Sequence, residues 1–324
     1  MKRILIITAL AVVASCTAAT SVTGEGDVGR NGITVNVRGP SSRATGVTAG
    51  DEAKINSLQV LVFDSDGKID AVGYGNGTSL SVNVTAGKAR RLWAVANAPD
   101  LGDVGSEDEL CGRMSLLTDN SQGSFVMCGN TVRDIAGETE IDIGLVRLVA
   151  RLSVEKITRR FDVAGLAARP LVIKGMYLIN VAADLRYDGA DGVSAWLNRR
   201  GFESGGADAL LSERPLSISL DNGQSHSALH SFYCYPNPCT DDNVSGSWTP
   251  RKTRLVLEAE LGGKTCYYSV TFPEIRRNRT YTIEELTLSG KGSSTPDTPY
   301  GRESLSASVT VRDWTDGSTY TENL

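Results

Sequence analysis

Cys16 is the residue whose neighbours most clearly prepare it for chemistry. Met1-Lys2-Arg3 is a short basic start, and Ile4 to Ala14 is uncharged and apolar. That stretch is shorter than the ~20 residues a membrane-spanning helix needs, and it has the form of a secretory signal. Val13-Ala14-Ser15-Cys16 then reads as a lipobox, in which small residues admit the signal peptidase and the cysteine thiol receives diacylglycerol. Residues 1–15 are therefore expected to be a lipoprotein signal peptide, with the mature chain beginning at lipidated Cys16. Each buried methylene of the acyl chains contributes ~0.8 kcal/mol, so two or three chains make a firm anchor. Thr17 follows the cysteine where an inner-membrane retention signal has aspartate, which favours the outer membrane or cell surface of a Gram-negative cell.

The other reactive residue types fall into weaker patterns. His226 and His230 are the only histidines, and HSALH lacks the acid of an HExxH zinc site. No Gly-x-Ser-x-Gly elbow occurs. Gly290-Lys-Gly-Ser-Ser has the wrong order for a phosphate-binding loop, and Asp64-Ser-Asp-Gly67 lacks the remaining ligands of a calcium loop. Arg276-Arg-Asn-Arg279 is a basic cluster without interleaved aromatics and reads as a solvated loop. Five cysteines remain after Cys16: Cys111, Cys128, Cys234, Cys239 and Cys266. Cys234 and Cys239 flank Tyr-Pro-Asn-Pro and could close a turn. Cys111 and Cys128 could pair only if their backbones meet, and the pairing stays open. No constellation supports an enzyme, a metal site or a cofactor.

Composition narrows the class further. The chain has 324 residues, 40% hydrophobic and 22% charged, with 34 glycines that follow no period. That is too apolar for disorder and too aperiodic for collagen. A net charge of −5 argues against a nucleic-acid partner, and loss of Lys2 and Arg3 with the leader takes it to −7.

Short strands must carry the fold. Ile33, Val35 and Val37 alternate with Thr34, Asn36 and Arg38. Leu58-Gln-Val-Leu-Val-Phe63 suits a central strand, and Asp64 to Gly67 after it is a hairpin signal. Strand patterns follow at 80–84, 92–96, 125–127, 141–157, 171–181, 232–235, 254–261, 267–272 and 281–288. Leu145 to Leu152 reads as one strand running from a first unit into a second. Ser106-Glu-Asp-Glu109 is a capping box, with Leu110, Met114 and Leu117 at helical spacing behind it. Residues 182–228 read as loop-heavy and 290–299 as a break. Leu305, Ala307, Val309 and Val311 then alternate with polar residues up to Trp314. The chain is expected to be all-β with few short helices, most simply two sandwiches that meet near residue 150.

Taken in order, several segments resemble the FimA-type fimbrillins, the type V pilins. They are Ile33-Thr-Val-Asn-Val37, Ser41-Ser-Arg-Ala-Thr45, Glu52 to Phe63, Trp93-Ala-Val-Ala-Asn-Ala98 and Phe125 to Gly129. Val146 to Arg151, Phe232-Tyr-Cys-Tyr-Pro-Asn237, Ile275 to Tyr281, Leu286 to Gly290 and Val309-Thr-Val-Arg-Asp-Trp314 complete the series. The resemblance implies two transthyretin-like β-sandwich domains in tandem and export as a lipoprotein. It divides the chain into a signal (1–15), a lipidated leader with the first strand (16–43), an N-terminal sandwich (44–148) and a C-terminal sandwich (149–324). It also implies activation by an arginine-specific protease, with the cut between Arg43 and Ala44.

On that resemblance Ile33, Val35 and Val37 form a plug strand that leaves with the leader. Burial contributes ~1.5–3 kcal/mol per such side chain, so the emptied groove forfeits roughly 5–9 kcal/mol. That is comparable with a domain's net stability of ~5–15 kcal/mol. The alternating strand 305–314, with Leu305, Ala307, Val309 and Val311, is the expected donor from a neighbouring copy or related subunit. Its deletion with the tail (303–324) is expected to leave the monomer folded. Three alternatives differ in role: an anchor that keeps its first strand, a tip subunit without a free donor, and a glycan-binding lipoprotein using Trp196 or Trp248.

Overall fold

The computed structural model describes residues 30–40, 51–190, 192–298, 305–313 and 319–323. Cys16, Arg43, Ala44 and Trp314 lie outside the described residues, as do the leader and tether that precede residue 30.

The first half is built on β1 (Arg30–Arg38), β2 (Leu58–Phe63), β3 (Ile69–Gly75), β4 (Ser79–Thr85) and β5 (Gly87–Ala96). After α1 (Glu107–Gly112) come β6 (Met114–Leu116), β7 (Met127–Ile135), β8 (Thr139–Gly144) and β9 (Val146–Arg147). A five-stranded sheet runs in the order β3-β2-β5-β7-β9, and a three-stranded sheet in the order β4-β1-β8. One core lies between them, holding Ile33, Val35, Val60, Val62, Val82, Leu92 and Ile141. All six residues of β2 are buried because both of its faces are covered. Its other face, with Leu61 and Phe63, joins a second core that extends through the rest of the chain.

The second half begins with β10 (Ala150–Arg159), α2 (Ala164–Ala167) and β11 (Leu171–Ile179). Shorter pieces follow: β12 (Val181–Ala182), β13 (Asp184–Arg186), β14 (Trp196–Leu197), α3 (Asp208–Leu211), β15 (Ser212–Glu213) and β16 (Ile218–Leu220). The long strands β17 (Ser225–Cys234), β18 (Arg254–Leu261), β19 (Lys264–Thr271) and β20 (Arg279–Leu288) come next. The chain closes with β21 (Leu305–Asp313) and β22 (Thr319–Asn323). One sheet has the order β17-β10-β20-β21-β22, and the facing sheet β15-β11-β18-β19 with β16 beside β11. The architecture is all-β, as expected. The two halves share a continuous core, and β6 of the first pairs with β13 of the second.

Three local expectations need correction. The capped helix exists, and Ser106 accepts from Glu109 N at 3.2 Å, but it ends at Gly112. Met114 to Leu116 go to β13 instead, because Asp184 to Arg186 offer that segment a strand partner. The run from Leu145 to Leu152 is not continuous: β9 ends at Arg147 and β10 starts at Ala150. The buried Arg147 guanidinium is bound to Pro40 and Glu52, and it marks the break. The stretch 290–298 is docked rather than a loose break. Ser293 and Tyr267 exchange main-chain bonds of 2.8 and 3.0 Å, and the buried Asp297 takes charge-assisted bonds from Arg251 and Arg254.

Candidate functional site

β1 is the middle strand of its sheet. It runs antiparallel to β4, with Ile33 opposite Val82 and Val35 opposite Leu80. It runs parallel to β8, with Val35 beside Ile141 and Val37 beside Ile143. The sequence alternates at period two, so one face is apolar. Ile33 and Val35 are fully buried there and Val37 nearly so, against Leu58, Val60, Leu92 and Ala94 of the larger sheet. On the outer face the Thr34 and Ser81 hydroxyls stand 3.2 Å apart. Arg38 lies 3.7 Å from Asp142, an exposed pair that adds little stability. Taking β1 away would open an apolar slot with unpaired backbone groups on both walls, a template for another strand.

The exit from β1 is built with equal care. Arg147 is fully buried, and its guanidinium donates to the Pro40 carbonyl at 3.3 Å and to the Glu52 carbonyl at 2.7 Å. One side chain thus pins both stems of the 41–51 stretch that carries Arg43. Its third contact is Asn278 Oδ1 at 3.3 Å. The Glu52 carboxylate accepts from Arg151 at 2.9 and 3.0 Å and from the Tyr233 hydroxyl at 2.7 Å. Burial pulls the Arg147 pKa down to about 10, against the opposing pull of Glu52. Burial first, and the Glu52 charge second, hold the Tyr233 phenol well above its ordinary value. Glu52 therefore ties the start of the post-loop chain to β10 and β17 of the second half. These residues were not singled out from sequence. Their signal was two arginines inside an otherwise apolar run, with an acid just after a polar loop.

The expected donor residues sit in the other half of the molecule. β21 is hydrogen-bonded to β20 on one side and β22 on the other. Val309 and Val311 are fully buried, Leu305 nearly so, and Ala307 is half-buried. The plug and donor residues are thus not brought together within one chain. Leu305, Val309 and Val311 belong to the second core, so a β21 that leaves its sheet, or a chain cut at 303, uncovers part of that core.

The remaining candidates have structural employment. All five described cysteines are free thiols. The turn between Cys234 and Cys239 is closed by Asn237. Its amide donates to the Arg251 carbonyl at 2.8 Å and to Thr253 Oγ1 at 2.9 Å, and its Oδ1 accepts from Cys239 N at 2.9 Å. His230 is buried, with Nδ1 2.7 Å from Glu213 Oε2 and its ring 5.5 Å from that of His226. No group of three metal-ligating side chains occurs among the described residues. Trp196 of β14 and Trp248 pack edge to face at 5.8 Å, and Trp248 Nε1 donates to Asn180 Oδ1 at 2.9 Å.

Residues 32–135 match the family model of the major fimbrial subunit protein (FimA). A sequence search among curated proteins finds no match. Among solved structures, a candidate cell adhesion protein from Bacteroides eggerthii aligns with a TM-score of 0.67 at 18% identity, over 92% of this chain and 100% of that one. A fimbrilin from Porphyromonas gingivalis aligns with a TM-score of 0.66 at 17% identity, over 90% of this chain and 99% of that one. A candidate cell adhesion protein from Parabacteroides distasonis has a TM-score of 0.66 at 20% identity, over 89% and 98% of the two chains. At these identities the likeness is one of fold.

Proposed function

We propose that the chain, whose residues 32–135 match the FimA family model, is a fimbrial subunit of the cell surface, and that it is a stalk subunit assembled by strand exchange. It is exported as a lipoprotein through Cys16, cut between Arg43 and Ala44 by an arginine-specific protease, and emptied of β1. The slot is then filled by β21 of the next copy or of a related subunit. Contacts of this head-to-tail kind do not close, so they build a filament. The role is structural rather than catalytic.

The position of β1 carries the reading. A plug hydrogen-bonded on both sides and buried on one face leaves a vacancy that only another strand can fill well. An anchor subunit would keep that strand. A subunit with an Arg43–Ala44 bond after β1 and with a β21 of alternating pattern is equipped both to receive and to give.

Replacing Arg43 with alanine tests the reading. The variant is expected to accumulate as a lipidated monomer, whereas wild-type fibres begin at Ala44. Normal fibres from the variant, or fibres that begin at Cys16, would overturn it.

A further inference from the structure

β1 and β21 carry the same sequence of faces. Laid in one polarity, Thr34-Val35-Asn36-Val37-Arg38 matches Ser308-Val309-Thr310-Val311-Arg312. The inward valines coincide. The outward hydroxyl of Thr34 beside Ser81 is matched by Ser308, and Arg38 beside Asp142 is matched by Arg312. Two inward positions differ: the fully buried Ile33 meets Ala307, and the half-buried Asn31 at the start of the strand meets Leu305.

Neighbouring registers fit worse. A slide of two residues one way would sink Asp313 into the place of Val37, an unpaired carboxylate in an apolar site. A slide the other way would put Thr310 beside Asp142 and Val311 in the place of Gly39. Any Cβ at Gly39 lies 3.0 Å from the Ala53 carbonyl, which must then give by a few tenths of an ångström. The matched register puts Asp313 there with the same Cβ contact, so what separates the two registers is that it keeps Val309, not Ala307, in the place of the fully buried Val35 and keeps an arginine beside Asp142.

We propose that β21 of a second copy enters the slot in the polarity and register of β1, with Arg312 over Asp142 and Ala307 in the place of Ile33. This rests on the strand-exchange reading above. Its consequence is a pocket that the plug fills and the donor underfills. An intact plug therefore out-competes an arriving donor, and exchange runs forward only once the cut leader departs. The Ile33 pocket guards against premature polymerisation.

Two cysteine pairs read the register directly. Thr34 stands opposite Ser81, so the matched register sets Ser308 opposite Ser81 across the subunit boundary. The slid register sets Ser306 there. Fibres of the Ser81→Cys/Ser308→Cys variant should give a disulfide-linked ladder on a non-reducing gel, and those of Ser81→Cys/Ser306→Cys should not. Ala307→Ile should slow fibre dissociation in denaturant by about tenfold or more, the reverse of a large-to-small core change. A ladder from the Ser306 pair overturns the register. So does a ladder from neither pair in fibres that still require a mobile β21. Assembly with β21 chemically fixed to β20 would instead bring down strand exchange itself.

Discussion

Arg147 Nε donates to the main-chain carbonyl of Glu52 at 2.7 Å, within a buried cluster where the Glu52 carboxylate also meets Arg151 and Tyr233. The contact joins the last strand of the first sandwich to the chain that follows residues 41–50. It leaves one buried carboxylate facing two arginines. Cutting at Arg43 leaves this anchor intact, because Glu52 lies on the mature side of the bond. Among the described residues the plug side is held by its sheet bonds, the Thr34–Ser81 and Arg38–Asp142 contacts and the Pro40 contact.

Glu52→Gln is therefore expected to be costly. It keeps the shape of the side chain but leaves Arg147 and Arg151 without their buried counter-charge, a class of change that costs ~3–5 kcal/mol. Denaturant unfolding of the monomer measures it. Adding Arg151→Met to Glu52→Gln should cost less than the two changes summed, because the second removes a charge the first has stranded. Strict additivity would show that the pair does not interact.

Fixing β21 in its own sheet should block assembly without disturbing the fold. Thr282 and Thr310 face each other across β20 and β21, so Thr282→Cys/Thr310→Cys can close a bridge between them. The oxidised protein is expected to remain monomeric after cleavage and to form fibres when reductant is added. Electron microscopy of the same sample before and after reduction gives the answer. Fibres from the oxidised form would mean that β21 is not the strand that moves.

Gly129 on β7 lies close against the end of β8, which belongs to the other sheet of the first half. A Cβ there would stand 2.1 Å from the Gly144 carbonyl oxygen, a distance no side chain tolerates. Gly129→Ala must push β8 away from β7, and overpacking of this kind costs ~1–3 kcal/mol. Because β8 is one wall of the slot, the variant should also lose its plug more readily. Limited proteolysis of the leader strand, compared with wild type, reports that release.

Alternation made β1, β18 and β21 legible, because each has one apolar face and period two has few competitors. It missed β22, whose Thr-Tyr-Thr-Glu-Asn carries no apolar stripe and is a strand only because β21 offers it an edge. The short helix was overdrawn for a related reason: Met114 and Leu117 sit at helical spacing, yet β13 from the distant half captured the segment first. Pairing across such separations leaves no mark in a local pattern. The plug residues were visible as residues, but their place between two partners was not. The strength of the vacancy depends on that place. The Glu52 cluster shows the opposite limit, since charged residues inside an apolar run announce a buried partner without naming it.

β1 is held by seven residue pairs along β4 and six along β8. Force applied along its axis loads both ladders in shear, so their bonds must fail together. Force applied across the axis would instead open them one at a time, like a zip. The slot is thus a mechanical coupling with a strong direction and a weak one. A strand seated in it resists tension along the chain best, which is the load a fibre under flow would impose.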